Sequence, residues 1–309
     1  MRFVETLADP IPKGATSEFL AAPDGTRFRV AHFGVDLATQ GTVVILTGRT
    51  EFIEKYFEVI GDLMQRGYAV ATLDWRGQGL SDRQLENPHK GHVDDFDLYV
   101  ADLRQAFEEF IAPVCPSPYR MIAHSMGGTI GLLYLHKYPD TFANAMFSAP
   151  MWGVGNSLRA PLWIRGLSVL ANGLGKGDRY LPFNPGDYGA VDLDFQKAHT
   201  SDESRFYRCV NQVAAEPRLE LGSPTVGWLG AALRVIDRLH GKGFVERIET
   251  PVWVCTGGAD TRVSAKAQAQ IAERLPQGGQ IVITGARHEM LMERDELRDF
   301  FFKIFDDLG

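Results

Sequence analysis

The sequence predicts an α/β protein with a mostly parallel eight-stranded sheet, helices on both faces, and a helical insertion after the sixth strand. Three observations support this fold class. Short β-branched or apolar runs alternate with segments that place apolar residues at helical spacing, as in a doubly wound sheet. The run Thr42–Leu46 is rich in β-branched residues, as expected of a strand buried on both faces. The run Arg120–Ala123 leads into a serine followed by small residues, which indicates a sharp turn from strand into helix.

The predicted strands are bounded by turn residues. Pro23-Asp24-Gly25 is a strong turn signal between two short extended runs, so these runs are expected to form an antiparallel hairpin. Pro150 closes the sixth strand. In chain order the predicted strands are Ser17–Ala22, Arg27–Phe33, Thr42–Leu46, Tyr68–Leu73, Arg120–Ala123, Phe142–Ser148, Pro251–Thr256 and Gln280–Thr284.

The predicted helices follow from apolar residues at a spacing of three or four. In the first helix these residues are Ile53, Phe57, Ile60 and Met64. The predicted helices of the sheet domain are Ile53–Arg66, Asp94–Ile111, Met126–Tyr138, Thr225–His240, Ala265–Leu275 and Glu293–Leu308.

The alternation of strands and helices stops after Pro150. Residues 151–224 show no clear strand and are rich in Gly, Pro and Asn, with helices expected at Leu158–Leu174 and Asp202–Ala215. We therefore expect a helical cap at 151–224, inserted between two parts of the α/β core at 1–150 and 225–309.

Composition excludes several classes of protein. The chain of 309 residues is 45 % hydrophobic and 23 % charged with a net charge of −7, and it has no long basic tract, so nucleic acid is an unexpected partner. Its first residues lack the apolar core of a signal peptide, and no uncharged apolar run is long enough to span a bilayer. Three scattered cysteines suit reduced thiols. The expectation is a soluble cytoplasmic protein.

Ser125 lies where the fifth strand turns into its helix, in the sequence Ala-His-Ser-Met-Gly-Gly. Such a turn exposes one hydroxyl beside the free N–H groups of a helix N-terminus, as in a nucleophile elbow. Gly127 and Gly128 would allow the helix to start close under the turn. The alternative is a serine in an ordinary strand-to-helix loop.

A serine nucleophile needs a base, and the base needs a third group to orient it. Ligand-binding residues of a parallel sheet follow the carboxyl ends of its strands. Asp260 follows the seventh predicted strand and His288 follows the last, which gives the order Ser, Asp, His. The alternative readings are a simple turn at Asp260 and a surface loop at His288.

The oxyanion of an acyl-transfer intermediate requires two donors. The backbone N–H of Met126, directly after the serine, is the first candidate. The second is the backbone N–H of Arg49, in the loop that follows the third strand. That loop could instead only join strand to helix.

A metal site is not expected. His89 and His92 lie near Asp94 and Asp95, but no further ligand is spaced to complete a site. Asp94 or Asp95 is better interpreted as the N-cap of the next helix.

Several motifs together resemble the monoacylglycerol lipase and lysophospholipase branch of the α/β-hydrolases. They are the elbow Ala-His-Ser-Met-Gly-Gly, the loop Leu-Asp-Trp-Arg-Gly-Gln-Gly-Leu-Ser-Asp at 73–82, and the ending Gly-Ala-Arg-His-Glu-Met-Leu-Met-Glu at 285–293. The segment Gly-Arg-Thr-Glu at 48–51, with Lys55, Tyr56 and Glu58, is similar to the bacterial lysophospholipase L2 subgroup. The resemblance covers about Phe19 to Phe305.

The resemblance implies an α/β-hydrolase fold, Ser125 as nucleophile, His288 as base and Asp260 as orienting acid, with oxyanion donors at Met126 and Arg49. It implies neither a cofactor nor a metal. This chain has Ala123 in place of the first elbow glycine, and Thr47-Gly48 where the wider fold has His-Gly. Asp74 matches a family signature but is interpreted as part of a structural turn.

The leading hypothesis is a serine ester hydrolase acting on a monoacyl lipid, either a lysophospholipid or a monoacylglycerol. A small-ester carboxylesterase is one alternative, and a non-enzymatic binding protein is disfavoured because the Ser, Asp and His are intact. A proline-iminopeptidase-like aminopeptidase is another. It would need an acidic pocket, for which the cap offers Asp178, Asp187, Asp192 and Asp194.

The predicted cap is rich in large apolar side chains. Those expected to contact an acyl chain are Trp152, Trp163, Leu167 and Leu170. Such a surface could also rest on a membrane. The alternative is that the stripe packs in the core. The oligomeric state is not indicated.

Overall fold

The computed structural model describes residues 3–7, 9–154, 166, 170–171, 173–181, 186–188, 194–195 and 198–308. Its eight strands form one sheet in the order β1-β2-β4-β3-β5-β6-β7-β8, in which β1–β2 and β2–β4 pair antiparallel and every later pair is parallel. The strands are β1 Thr16–Ala21, β2 Arg27–Phe33, β3 Thr42–Leu46, β4 Ala69–Leu73, β5 Tyr119–His124, β6 Asn144–Ser148, β7 Val252–Gly257 and β8 Gly278–Ile283.

Helices cover both faces of the sheet and follow the predicted order. They are α1 Phe57–Gln65, α2 Phe96–Ala106, α3 Met126–Lys137, α4 Glu203–Ala215, α5 Val226–Leu239, α6 Ala265–Ala272 and α7 Asp295–Leu308. A 3-10 turn, Ile53–Tyr56, precedes α1 and a π-helical turn, Phe107–Ile111, follows α2. Asp95 caps α2 by accepting a hydrogen bond from the N–H of Asp97 at 2.9 Å, as the sequence predicts.

The last strand begins two residues earlier than predicted. Gly278 and Gly279 pair with Val252 and Trp253 on β7. A side chain on Gly278 would collide with the backbone of Val252, and its φ of 123° suits glycine. The strand therefore starts with residues that carry no apolar signal, which is why the sequence pattern misses them.

Only part of the predicted cap lies in the described residues. Residues 151–154 belong with the sheet, since Ser264 N–H donates to Gly153 O at 3.2 Å and Val154 bridges Val263. Of the helix predicted at Leu158–Leu174, Leu170 is helical and exposed. Trp163 and Leu167 lie outside the described residues. The division into core and cap stays a prediction.

A buried ionic cluster holds the loop after β4. Arg29 on β2 binds both carboxylate oxygens of Glu54 at 2.7 Å, and its Nε donates to Asp74 at 2.8 Å. All three side chains are fully buried. Asp74 also accepts the N–H groups of Ile53 and Leu80. Removing one partner of such a cluster typically costs about 3–5 kcal/mol, against about 0–1 kcal/mol for an exposed pair. Asp74 is thus structural, as predicted.

Candidate active site

Ser125 is the single residue between β5 and α3. Its φ of 51° and ψ of −115° are uncommon for a residue with a side chain. Backbone hydrogen bonds fix this turn: Ser125 N–H donates to Ser148 O at 3.1 Å, and Met151 N–H donates to Ser125 O at 2.9 Å. The strained turn is held by β6 and by the segment that follows it.

The glycines after Ser125 allow the close approach that the sequence suggests. A side chain on Gly127 would collide with the carbonyl of Leu46 at the end of β3. One on Gly128 would lie 2.6 Å from Pro150 Cβ. The first turn of α3 therefore sits directly under the serine, with its free N–H groups beside it.

The structure brings Ser125, His288 and Asp260 into one hydrogen-bonded chain. His288 Nε2 lies 3.0 Å from Ser125 Oγ, and His288 Nδ1 lies 2.8 Å from Asp260 Oδ2. Ser125 follows β5, Asp260 follows β7 and His288 follows β8. The carboxyl ends of these strands meet at one edge of the sheet. The hydroxyl thus faces a base that a carboxylate orients.

Asp260 is held as a carboxylate. Burial opposes its charge, but the hydrogen bond and charge of His288 and the N–H groups of Arg262 and Val263 outweigh burial and lower the pKa of Asp260. The Arg262 N–H donates at 2.7 Å to Oδ1, the oxygen that His288 does not use. An ionised Asp260 keeps the proton of His288 on Nδ1 and leaves Nε2 free to accept one.

The His288 loop is anchored by Glu293, a residue that sequence analysis did not single out. Glu293 is fully buried and accepts the N–H of Arg287 at 2.8 Å, the N–H of Ser201 at 3.0 Å and the hydroxyl of Ser201. A side chain on Gly257 would lie 2.6 Å from Arg287 O. These contacts fix where His288 points.

The predicted oxyanion loop lies against the serine. A side chain on Gly48 would lie 3.2 Å from Ser125 Cβ and 3.0 Å from His124 Cδ2. The N–H of Gly48 donates to the carboxylate of Glu51. The guanidinium of Arg49 turns away and donates to Gly222 O at 2.6 Å. The backbone of this loop is therefore close to Ser125, and Arg49 N–H is the next donor along it.

A buried acid–base cluster lies behind this loop. Glu51 accepts from Lys55 Nζ at 2.8 Å and from Tyr56 Oη at 2.7 Å, and Lys55 also pairs with Glu289 at 2.9 Å. Burial opposes the charge of Glu289, but Lys55 and His199 together outweigh it and lower the pKa of Glu289. The cluster carries one net negative charge. The sequence signals for it are the segment 48–51 with Lys55 and Tyr56, which carries the subgroup resemblance, and the Glu that follows His288.

His124 precedes the serine but does not face it. Its Nδ1 lies 3.1 Å from Ser148 O, and its ring centroid is 4.8 Å from that of His288. Burial lowers the pKa of His124 to about 4, so the ring is neutral at neutral pH. His288 is the histidine placed to act as base.

Trp152, predicted to contact substrate from the cap, is instead a core residue. Its side chain is fully buried, its indole N–H donates to Gly128 O at 3.2 Å, and its ring packs edge-on against Phe147 at 5.5 Å. The ring is thus enclosed between the start of α3 and β6. The prediction for Trp152 is therefore wrong.

A cavity of about 220 Å³ opens on His288, and Arg262, Arg287 and His199 are among its lining residues. A larger cavity of about 730 Å³ lies by Tyr119 and Ala143, at the amino ends of β5 and β6. It is too far from Ser125 to serve it.

The described part of the chain contains no group of three His, Cys, Asp or Glu side chains placed to hold a metal ion. His92 binds Thr225 Oγ1 through Nδ1 at 2.7 Å, and its Nε2 lies 3.3 Å from Asp94 Oδ1. Within the described ranges, no helix is long and apolar enough to cross a bilayer.

The chain resembles known hydrolases in sequence and in fold. It is 32 % identical to the probable lysophospholipase L2 of Haemophilus influenzae over 262 residues, which cover 84 % of this chain and 81 % of the relative. It is 31 % identical to the lysophospholipase L2 of Escherichia coli over 294 residues, which cover 88 % of this chain and 79 % of that relative. The crystal structure of a Paleococcus ferrophilus monoacylglycerol lipase superposes with a TM-score of 0.71 at 21 % identity, covering 91 % of this chain and 98 % of that one.

The sheet order, the parallel pairing from β4 onward and these likenesses confirm the predicted α/β-hydrolase fold. The family model described as serine aminopeptidase, S33, matches residues 38–295, which include β3 to β8 and all three residues of the hydrogen-bonded chain. The chain is a hydrolase of the serine aminopeptidase S33 family.

Proposed function

We propose that this chain is a serine carboxylic-ester hydrolase that cleaves a monoacyl lipid through an acyl-enzyme on Ser125. The observation that carries the proposal is the chain of hydrogen bonds from Asp260 through His288 to Ser125 on a strained turn. The substrate class is supported by two relatives above 30 % identity that are named lysophospholipase L2.

In this mechanism Ser125 Oγ attacks the acyl carbonyl while His288 Nε2 accepts its proton. His288 then gives that proton to the departing alcohol, which leaves the acyl group on Ser125. Water repeats the sequence and releases the fatty acid. Asp260 stays ionised throughout and stabilises the imidazolium that forms.

The negative oxygen of each tetrahedral intermediate would bind the backbone N–H groups of Met126 and Arg49. The first is supported by the position of Met126 at the start of α3, where N–H groups have no partner within the helix. The second is supported by the close contact between the neighbouring Gly48 and Ser125.

Activity should rise with the length of the acyl chain. Each buried methylene contributes about 0.8 kcal/mol, or about fourfold at most in kcat/KM. From acetyl to octanoyl p-nitrophenyl esters we expect kcat/KM to rise about 100-fold or more. Aminoacyl-naphthylamides, tested in the same panel, should not be hydrolysed. A preference for acetyl or butyryl esters would leave a small-ester hydrolase instead of a lipid hydrolase.

An aminopeptidase function receives less support. Recognition of a free amino terminus requires carboxylates near the reaction site, yet the cavity beside His288 is lined by Arg262 and Arg287. Two of the acids expected to form such a pocket have other partners. Asp178 lies near Lys90, and Asp187 binds Tyr180.

The proposed enzyme would also contact a lipid surface, where its substrate resides. Leu170 and Leu174 each expose 60 % of their surface, and exposed leucines can enter the interface of a bilayer. Replacing both by Ser should lower the fraction of protein that floats with phosphatidylglycerol vesicles by about half or more. Val282→Ser, which changes an exposed residue on β8, is the matched control. Equal flotation of all three proteins would argue against membrane contact.

A further inference from the structure

The cavity beside His288 is basic, although the whole chain carries a net charge of −7. Arg262 lies two residues after Asp260, and Arg287 directly precedes His288. His199 lines the same space, with its ring centroid 5.9 Å from that of His288. His199 Nδ1 lies 3.7 Å from Glu289 Oε1, so the positive charge around this space rests on the two arginines.

No carboxylate of the described residues neutralises the charges of the two arginines. The guanidinium of Arg287 donates to two backbone carbonyls, Ala198 O at 3.2 Å and Thr200 O at 3.0 Å. Among the residues that the structure describes, no carboxylate oxygen lies within 4 Å of a charged nitrogen of Arg262 or Arg287. Arg274, by contrast, pairs with Glu246 at 2.9 Å.

Neighbouring carboxylates are already committed. Asp260 binds His288 through Oδ2 and two backbone N–H groups through Oδ1, and Glu289 binds Lys55. Two arginines that have no carboxylate partner among the described residues make this cavity suited to an anionic ligand, and guanidinium groups bind phosphate with well-defined geometry.

The chemistry of the reaction indicates which part of the substrate meets this cavity. His288 Nε2 must protonate the departing oxygen, so the leaving group lies against His288 while the acyl group stays on Ser125. In a monoacyl glycerophospholipid the leaving group is a glycerol carrying a phosphate a few bonds from that oxygen. In a monoacylglycerol it carries no charge.

We propose that Arg262 and Arg287 form a subsite for the phosphate of the leaving group, so that this chain prefers monoacyl glycerophospholipids to monoacylglycerols. The inference rests on the proposed function and specifies the head group of the substrate. Arg262 is exposed and free to close on the phosphate, whereas Arg287 is held in place by the carbonyls of Ala198 and Thr200.

The test compares two substrates with the same octanoyl chain, 1-octanoyl-glycero-3-phosphocholine and 1-octanoylglycerol, both below their micellar concentrations. Arg262→Gln should lower kcat/KM for the phospholipid about 10- to 100-fold, the range for a lost charged hydrogen bond. It should change kcat/KM for the monoacylglycerol less than about threefold, because that substrate offers Arg262 no charge. Arg262→Lys should restore part of the loss.

Arg247→Gln is the matched control, since Arg247 is exposed and lies before β7 at the opposite edge of the sheet. It removes the same charge and should leave both substrates unaffected. Glycerol 3-phosphate should inhibit hydrolysis of 1-octanoylglycerol competitively, and more weakly in Arg262→Gln. Glycerol at the same concentration should not inhibit.

Two results would overturn the inference. One is an unchanged phospholipid activity in Arg262→Gln, and the other is an equal loss on both substrates, which would mean that Arg262 acts only by positioning Asp260. Hydrolysis of neither octanoyl substrate by the unmodified enzyme would instead overturn the proposed function.

Discussion

Ser125→Ala is expected to lower kcat about 10⁶-fold while the protein folds normally. The change removes only the hydroxyl that lies 3.0 Å from His288 Nε2. The backbone hydrogen bonds that fix the turn, to Ser148 O and from Met151 N–H, do not involve the side chain. Hydrolysis of octanoyl esters tests the loss of activity, and thermal unfolding tests whether the variant folds normally.

Covalent labelling with a fluorophosphonate separates loss of the nucleophile from loss of the fold. The label should disappear in Ser125→Ala. It should persist in Ser148→Ala, because the buried Ser148 hydroxyl has no hydrogen-bond partner within the described residues and its loss should cost little. Labelling of Ser125→Ala at the unmodified rate would show that another residue is the nucleophile.

The sheet and the three residues of the hydrogen-bonded chain could be predicted because both follow local rules. Ser125 comes directly after β5, Asp260 and His288 lie in the loops after β7 and β8, and parallel strands bring their carboxyl ends together at one edge. The match at β3, where prediction and structure agree on Thr42–Leu46, reflects a run of residues suited to burial on both faces.

Contacts between distant segments could not be predicted. Glu293 reaches Ser201 across 92 positions of sequence, and Arg287 and Ala198 meet across 89. Trp152 is a second case in which the sequence alone could not decide between two environments. Its large apolar ring suits a ligand wall as well as a core, and only its hydrogen bond to Gly128 O and its packing on Phe147 decide for the core.

Asp260→Asn is expected to lower kcat about 10⁴-fold, by analogy with other serine hydrolases, while Ser125 remains in place. Asp260 accepts the Nδ1 proton of His288 at 2.8 Å. An amide at this position can present its NH₂ group to Nδ1, which then must be the unprotonated nitrogen. The proton moves to Nε2, the atom that has to accept one from Ser125, and the imidazolium loses the carboxylate that stabilises it.

Within the part of the chain that the structure describes, no neighbouring acid is placed to replace Asp260 in Asp260→Asn. Glu289 follows His288 in sequence, but it is held by Lys55 at 2.9 Å. The matched control is Asp295→Asn, which also converts a carboxylate to an amide, at an exposed position paired with Arg205; its kcat should stay within about twofold. Steady-state kcat and the rate of fluorophosphonate labelling should fall together in Asp260→Asn. A nearly unmodified kcat in Asp260→Asn, with Asp295→Asn inactive, would place the orienting acid elsewhere.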